Sequence, residues 1–417
     1  MAGAVTVVPG SAAGLAAASA LTVSQNSGSI AGSSESGDAF GTDMAAGDTN
    51  GDGHTDLIVG APGEDDISGH ADRGSVTILD GASHLTTGTS FTTSAADRTA
   101  TSARLGTAVA AGDFNHDGKD DVIAAGLGSK SAPGGWITWR NSATDDLTTQ
   151  QLTYAALTYV DLTTGDFNGD GYTDAAATTV DINGRATVYE YQSTGTAGLK
   201  HSTAVQMNGG RSIDSGDING DGRDDIIVGQ PVAAETASTG YHGYTGGQIT
   251  IKYGQEYGLW YGGHTTTINQ DTPEIPGAAE AGDAMGTSVT LTDLNNDGHP
   301  DILTGLPGED LTTHQNAGSA LAINIITNGD QTTVTSATAY NQGTSPITGA
   351  PESADRFGSA VTGGHYLPNG NGLVIGAAGE NNNDGTLVTV TPAGTSTALG
   401  RTSLDTPINA FLGDHIK

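Results

Sequence analysis

The chain has 417 residues, with 47 Asp and Glu against 14 Lys and Arg and a formal charge of −33, a balance that repels nucleic acid and anionic membrane surfaces. It has no cysteine, which excludes disulfides and thiolate metal sites, and its 64 glycines with only 5% aromatic residues suit short strands and tight turns. No apolar run approaches the ~20 residues that a membrane-spanning helix needs.

At the N-terminus, Gly3 to Leu15 aligns with Gly74 to Leu85 and with Gly247 to Leu259. That alignment, and the lack of Lys or Arg from Met1 to Ala20, reads as repeat structure rather than an export leader. Strands are predicted over Ala4 to Val8 and Leu21 to Gln25. The first full unit then runs from Asp38-Ala-Phe40-Gly41 through Asp48-Thr-Asn50-Gly-Asp52-Gly53-His54-Thr-Asp56 to the apolar run Leu57 to Gly60, followed by Ala61-Pro62. Further strands are predicted at Gly74 to Leu79 and near Ser90 to Thr93, giving four antiparallel strands per unit.

The loop of that unit returns four times. Its copies begin at Asp113 (with Asn115, Asp117, Lys119, Asp121), Asp166 (Asn168, Asp170, Tyr172, Asp174), Asp217 (Asn219, Asp221, Arg223, Asp225) and Asp293 (Asn295, Asp297, His299, Asp301). Oxygen-bearing side chains at positions 1, 3 and 5, with glycine at 6, let a tight loop wrap oxygens around a hard divalent cation. The carbonyl of position 7 (His54, Lys119, Tyr172, Arg223, His299) can add a ligand. Calcium, at about five sites, is the predicted cofactor. An EF-hand would need Glu at position 12, where this chain has Val59, Ala124, Ala177, Val228 and Thr304. The acidic residue at position 9 is therefore expected to take the place of that Glu, and the short apolar runs that follow each loop are expected to be buried strands rather than helices.

A sixth unit keeps Asp355-Arg-Phe357-Gly358 and Leu373 to Glu380 but carries Gly363 to Gly372 where the acidic loop would stand, so it is predicted to lack a metal. Phe40-Gly41 and Phe357-Gly358, the DxNxDGxxD loops and Gly60-Ala61-Pro62 together resemble the FG-GAP repeats of the integrin α-chain propeller and related extracellular bacterial proteins. The resemblance implies an all-β, seven-bladed β-propeller of four-stranded blades in one domain. The expected blades cover about 37–95, 96–155, 156–208, 209–272, 273–342 and 343–404, and 1–36 with 405–417 would form a closing blade shared by the two termini. It also implies a secreted or cell-surface adhesion module with an extracellular protein or glycan partner and no membrane insertion.

Two other readings stand beside it: a lectin, and the non-catalytic propeller part of a secreted phospholipase or glycan-active enzyme. Ligand contact is predicted at Tyr241, His242 and Tyr244, with Tyr253, Tyr257, Trp260 and Tyr261 close behind, because exposed aromatics in glycine-rich loops stack on sugar rings or protein hot spots. Packing between blades is the competing reading for Tyr253 and Trp260, and the favoured one for Trp136 and Trp139. Glu64-Asp65-Asp66, Glu309-Asp310 and Glu380 could supply an acid and base pair for glycoside hydrolysis, but their repetition favours a structural role. No catalytic residue is assigned.

Overall fold

The computed structural model describes all residues except 1, 12–13, 67–68, 94–101, 129–133, 232–243, 368–369 and 392, with the backbone alone for 201–203, 365–367 and 370. A short N-terminal segment holds β1 (Val5–Val7), β2 (Gly10–Ser11), β3 (Gly14–Leu15) and β4 (Leu21–Val23). Six four-stranded antiparallel sheets follow. Blade 1 is β5 to β8 (Met44–Gly47, Asp56–Ala61, Ser75–Leu79, Gly88–Phe91), and blade 2 is β9 to β12 (Ala108–Gly112, Asp121–Gly126, Trp136–Arg140, Leu147–Gln151). Blade 3 is β13 to β16 (Leu157–Gly165, Asp174–Asp181, Ala186–Ser193, Leu199–Val205), and blade 4 is β17 to β20 (Ser212–Gly216, Asp225–Gln230, Gln248–Lys252, Thr265–Ile268). Blade 5 is β21 to β24 (Val289–Thr292, Asp301–Leu306, Ser319–Thr327, Thr332–Tyr340), and blade 6 is β25 to β28 (Phe357–Leu367, Gly370–Ala377, Thr386–Val390, Ser396–Gly400).

Each sheet is a plain meander, with strands hydrogen-bonded in chain order. Second strands carry short apolar runs, as in Leu57-Ile58-Val59 of β6, Ile226-Ile227-Val228 of β18 and Ile302-Leu303 of β22. Those strands are buried along nearly their whole length because they have sheet neighbours on both edges and packed layers on both faces. Fourth strands such as Thr265–Ile268 are rich in threonine and mostly open to water, as suits an edge.

The number of blades differs from the seven expected. The described residues form six four-stranded sheets, and the closing blade is not built. β1 and β4 pair only with each other as a two-stranded sheet, while 405–417 adds no strand among the described residues beyond an isolated bridge between Leu412 and Gly385. Among the described residues of 1–36 and 405–417 no strand is as long and as buried as β6, so a seventh sheet has no such central strand to form around.

The chain falls into two compact units. The first comprises Met1–Thr6, Thr22–Gln206 and Glu256–Tyr261, and the second Val7–Leu21, Met207–Gln255 and Gly262–Lys417. In the first, Ile123, Ile137 and Trp139 of blade 2 pack with Val160, Leu162 and Tyr191 of blade 3. In the second, Ile227, Ile249 and Ile251 of blade 4 pack with Val289, Ile302 and Ile323 of blade 5.

Within each unit the FG and GAP glycines meet. A Cβ on Gly60 would stand 1.9 Å from the carbonyl oxygen of Gly106, which opens the next blade, and one on Gly305 would stand 1.9 Å from that of Gly358. The residue before each such glycine makes a parallel bridge to the start of the preceding third strand, as in Leu105 with Gly74 and Phe357 with Gly318. The repeated dipeptide is thus a backbone-on-backbone contact between adjacent sheets, which any side chain would wedge apart.

Candidate metal loops and an aromatic platform

The five loops join first to second strands in blades 1 to 5, and each folds around its own carboxylates. Asp48 Oδ1 accepts from the Gly51 and Asp52 amides at 2.8 and 3.1 Å, and its Oδ2 from Gly53 at 2.9 Å. The pattern repeats at Asp113, Asp166, Asp217 and Asp293, each of which accepts the N–H of its position-6 glycine at 2.8 to 2.9 Å. Those glycines, Gly53, Gly118, Gly171, Gly222 and Gly298, have φ between +82° and +89°, which is why no other residue type stands there. The position-3 Asn accepts from position 5 in every loop, and position 5 accepts from position 7, as in Asp52 to His54 N–H at 2.8 Å. Backbone donors, Gly53 foremost, hold the Asp48 carboxyl below its usual range.

Position 9 is different. Asp56, Asp121, Asp174, Asp225 and Asp301 are all buried. One oxygen of each reaches the backbone at or just beyond the blade's third strand, on Gly81, Ser142, Ser193, Gly254 and Ile325 N–H at 2.7 to 3.2 Å. In loops 1, 4 and 5 the other oxygen accepts from the position-2 amide (Thr49, Ile218, Leu294). In loops 2 and 3 it has no partner: Asp121 Oδ2 and Asp174 Oδ2 are buried and unsatisfied. Burial pushes the carboxyl of Asp121 up to about 6 and those of Asp174 and Asp225 up to about 8, with the acids at positions 5 and 1 of the same loops adding to the rise.

Position 9 therefore sits close enough to positions 1 and 5 for their charges to be felt, although among the described residues no three His, Asp or Glu side chains already converge on one point. An all-oxygen donor set, crowded like charges and two orphaned buried carboxylate oxygens fit a hard divalent cation. The side chains at position 7 reach toward neighbouring loops. The Lys119 stem lies over Gly51, Tyr172 stacks edge-on to His116 at 5.2 Å, and His299 lies against Gly220.

Of the predicted ligand contacts, Tyr241 and His242 lie outside the described residues, and Tyr244 donates its hydroxyl to Asp271. Tyr253 is fully buried, bonded to Thr332 and Thr266 at 2.6 and 3.1 Å, and so packs rather than binds. Trp139 is buried in the core of the first unit.

The aromatic surface lies instead at Tyr257, Trp260 and Tyr261, exposed by 55, 36 and 54%. Tyr261 stands edge-on to both others, with ring centroids 5.3 Å from Tyr257 and 5.5 Å from Trp260. Their backbone is fastened to β15. Glu190, fully buried, accepts from the Leu259 amide at 3.0 Å and the Trp260 amide at 3.2 Å, and Gln192 donates to the Tyr257 carbonyl at 2.8 Å. Gly258 has φ +93°, and a Cβ there would strike Glu190 Oε1 at 2.1 Å. Sequence reasoning missed Glu190. Its signal was a lone acid between Tyr189 and Tyr191 in a strand with no other charged residue.

Two repeat descriptions match the chain: FG-GAP repeat at residues 40–79, 209–251 and 285–322, and FG-GAP-like repeat at 113–177 and 166–228. This chain is an FG-GAP repeat protein. The FG-GAP chain is 30% identical over 156 residues to integrin alpha pat-2 of Caenorhabditis elegans, a match covering 34% of this chain and 12% of that relative's length. Among solved structures, it is similar to the BP39L lectin from Burkholderia pseudomallei, with a TM-score of 0.50 and 13% identity over 95% of this chain and 94% of that one. It is also similar to AofleA from Arthrobotrys oligospora, with a TM-score of 0.44 and 9% identity over 86% and 85%. At such identities the likeness to BP39L is one of fold, an all-β architecture of propeller blades. No helix among the described residues is long and apolar enough to cross a membrane.

Proposed function

We propose that this FG-GAP chain is an extracellular recognition module that binds a neutral glycan on the Tyr257, Trp260 and Tyr261 platform, with calcium bracing the loops of blades 1 to 5. The observation that carries the reading is the fixed aromatic triad. Three large rings left half open to water cost hydrophobic stabilisation, and a buried carboxylate is spent on holding their backbone still. A pre-organised platform loses little entropy when a ligand arrives, and the exposed ring faces suit the C–H face of an uncharged sugar. The acidic surface disfavours an anionic ligand. That the chain shares its fold with the BP39L lectin agrees with binding rather than catalysis.

In the loops, the carboxylates at positions 1, 5 and 9 and the Asn at position 3 would hold calcium, as would the carbonyls of His54, Lys119, Tyr172, Arg223 and His299. A bound ion supplies positive charge that offsets the crowded acids. The residues themselves set the turn between first and second strands and, through position 9, tie it to the third strand. Weak sites, on the order of 0.1 to 1 mM, suit the extracellular setting.

A glycan array at millimolar calcium, followed by titration of the best sugar, tests the reading. Trp260→Ala and Tyr261→Ala are each expected to weaken binding at least tenfold while the unfolding midpoint holds. An array without hits, or a Trp260→Ala variant that binds as the parent does, refutes the glycan reading.

A further inference from the structure

The segments that lead into blades 1, 5 and 6 share a second pattern, out of step with the metal loops: Gln25, Ile30, Gly32, Glu35, Asp38; Gln270, Ile275, Gly277, Glu280, Asp283; and Gln342, Ile347, Gly349, Glu352, Asp355. Each glutamine follows the last strand of one sheet and donates to a glutamate that follows the second strand of the next. The bonds are Gln25 Nε2 to Glu64 at 2.5 Å, Gln270 Nε2 to Glu309 at 3.0 Å and Gln342 Nε2 to Glu380 at 2.6 Å. The aspartate closes the group by accepting the backbone N–H of the glutamate three residues earlier: Glu35 to Asp38, Glu280 to Asp283 at 2.7 Å and Glu352 to Asp355 at 2.5 Å.

The three groups share a shortage of donors. The glutamines are 3, 3 and 6% exposed, and the Oε1 atom of each is buried without a partner. Two carboxyl groups thus crowd one amide. The acids that face Glu64 are Asp38, Glu35 and Asp65; those that face Glu309 are Asp283, Glu280 and Asp310; and those that face Glu380 are Asp355 and Glu352. Among the described residues no Lys, Arg or His forms an ion pair with any of them. A proton on one carboxyl would relieve the repulsion and supply the missing donor.

We propose that each Gln–Glu–Asp group is a one-proton clasp, in which a carboxyl held as the neutral acid fastens the edge of one sheet to the second strand of the next, and whose deprotonation loosens that joint. Burial foremost, then the neighbouring acids, pushes Glu309 up to about 7 and Asp355 up to about 6, and raises Glu64, Glu380 and Asp283 as well. In the window from the ordinary Glu value near 4.5 to about 7, the folded chain keeps protons that the unfolded chain has released. Stability from the clasps is therefore full below that window and is lost as pH rises through it.

The test compares the full chain with its Glu64→Gln/Glu309→Gln/Glu380→Gln variant, which replaces the glutamate of each group by a neutral amide and so fixes the charge of the one-proton state, at saturating calcium. The parent's melting temperature is expected to fall by several degrees from about pH 5 to about pH 8.5, while the variant stays level and ends above the parent. Parallel curves, or a variant lower by the same amount at both ends, overturn the proposal. Should the variant not fold, the infrared band of protonated carboxyl decides. It is expected in the parent at about pH 6, lost by about pH 8.5, and smaller in Glu309→Gln alone; a band that Glu309→Gln leaves undiminished overturns it equally.

Discussion

Replacing Glu190 with alanine separates the platform from its foundation without touching an aromatic ring. The carboxylate is fully buried and accepts two backbone N–H groups, of which that of Leu259 belongs to a fully buried residue. A buried donor left without an acceptor costs about 1–3 kcal/mol, and Glu190→Ala takes the acceptor from two amides, so local opening of 256–261 should be favoured by about 3 kcal/mol. That is roughly a hundredfold in an equilibrium, at about 1.4 kcal/mol per decade. Hydrogen exchange reads it directly: the Leu259 and Trp260 amides should exchange about two orders of magnitude faster, while amides of β14 and β18 keep their protection. Glu190→Gln retains one acceptor and should lose about half as much. Glycan affinity should fall with the loss of pre-organisation. If both amides exchange at the parental rate, Glu190 does not hold the segment, and the argument for a rigid platform fails.

Calcium should raise the unfolding midpoint over chelator, with about five ions bound and each tenfold of free calcium above the dissociation constant adding ~1.4 kcal/mol per site. Chelation should expose 113–121 and 166–174 to exchange before 217–225, because Asp121 and Asp174 each leave an oxygen unsatisfied where Asp225 does not; an unchanged midpoint would remove the metal assignment. Gly60→Ala should destabilise by more than ~3 kcal/mol, since its Cβ would meet backbone at 1.9 Å. Gly53→Ala, with nothing within 4 Å but φ +82°, should lose only ~1–2 kcal/mol, and equal losses in urea unfolding would refute close approach as the dominant cost at Gly60.

Much of the architecture is legible in the chain because local chemistry and position coincide. An apolar run such as Ile226-Ile227-Val228, bounded by an acidic turn and a glycine, can only be a buried central strand, and five such turns fix the spacing of five sheets. The blade count was less accessible. Whether two terminal strands grow into a seventh sheet depends on a buried partner for them to pair with, and among the described residues β1 and β4 find only each other. The platform was half legible: Trp260 and Tyr253 look alike as aromatics among glycines, but one is pinned outward by a carboxylate 70 residues earlier in the chain and the other is drawn inward to Thr332.

The acid at position 9 shows why spacing alone under-reads a repeat. By pattern it is one more ligand. In three dimensions it is also the loop's attachment to the third strand, buried where an ionised carboxyl is expensive. Neutralising it with a proton would preserve the attachment but surrender the charge that crowds positions 1 and 5. A bound cation would resolve both demands at once, because it would keep all three carboxylates ionised while leaving the position-9 oxygen free to hold Ser193 or Gly254. The clasps of blades 1, 5 and 6 meet the same crowding with an amide and a proton in place of a metal. On the proposed reading one chain would answer repeated acid clusters in two ways, set by the donors that each turn brings along: a glycine-rich loop that can wrap an ion, or a buried glutamine that cannot.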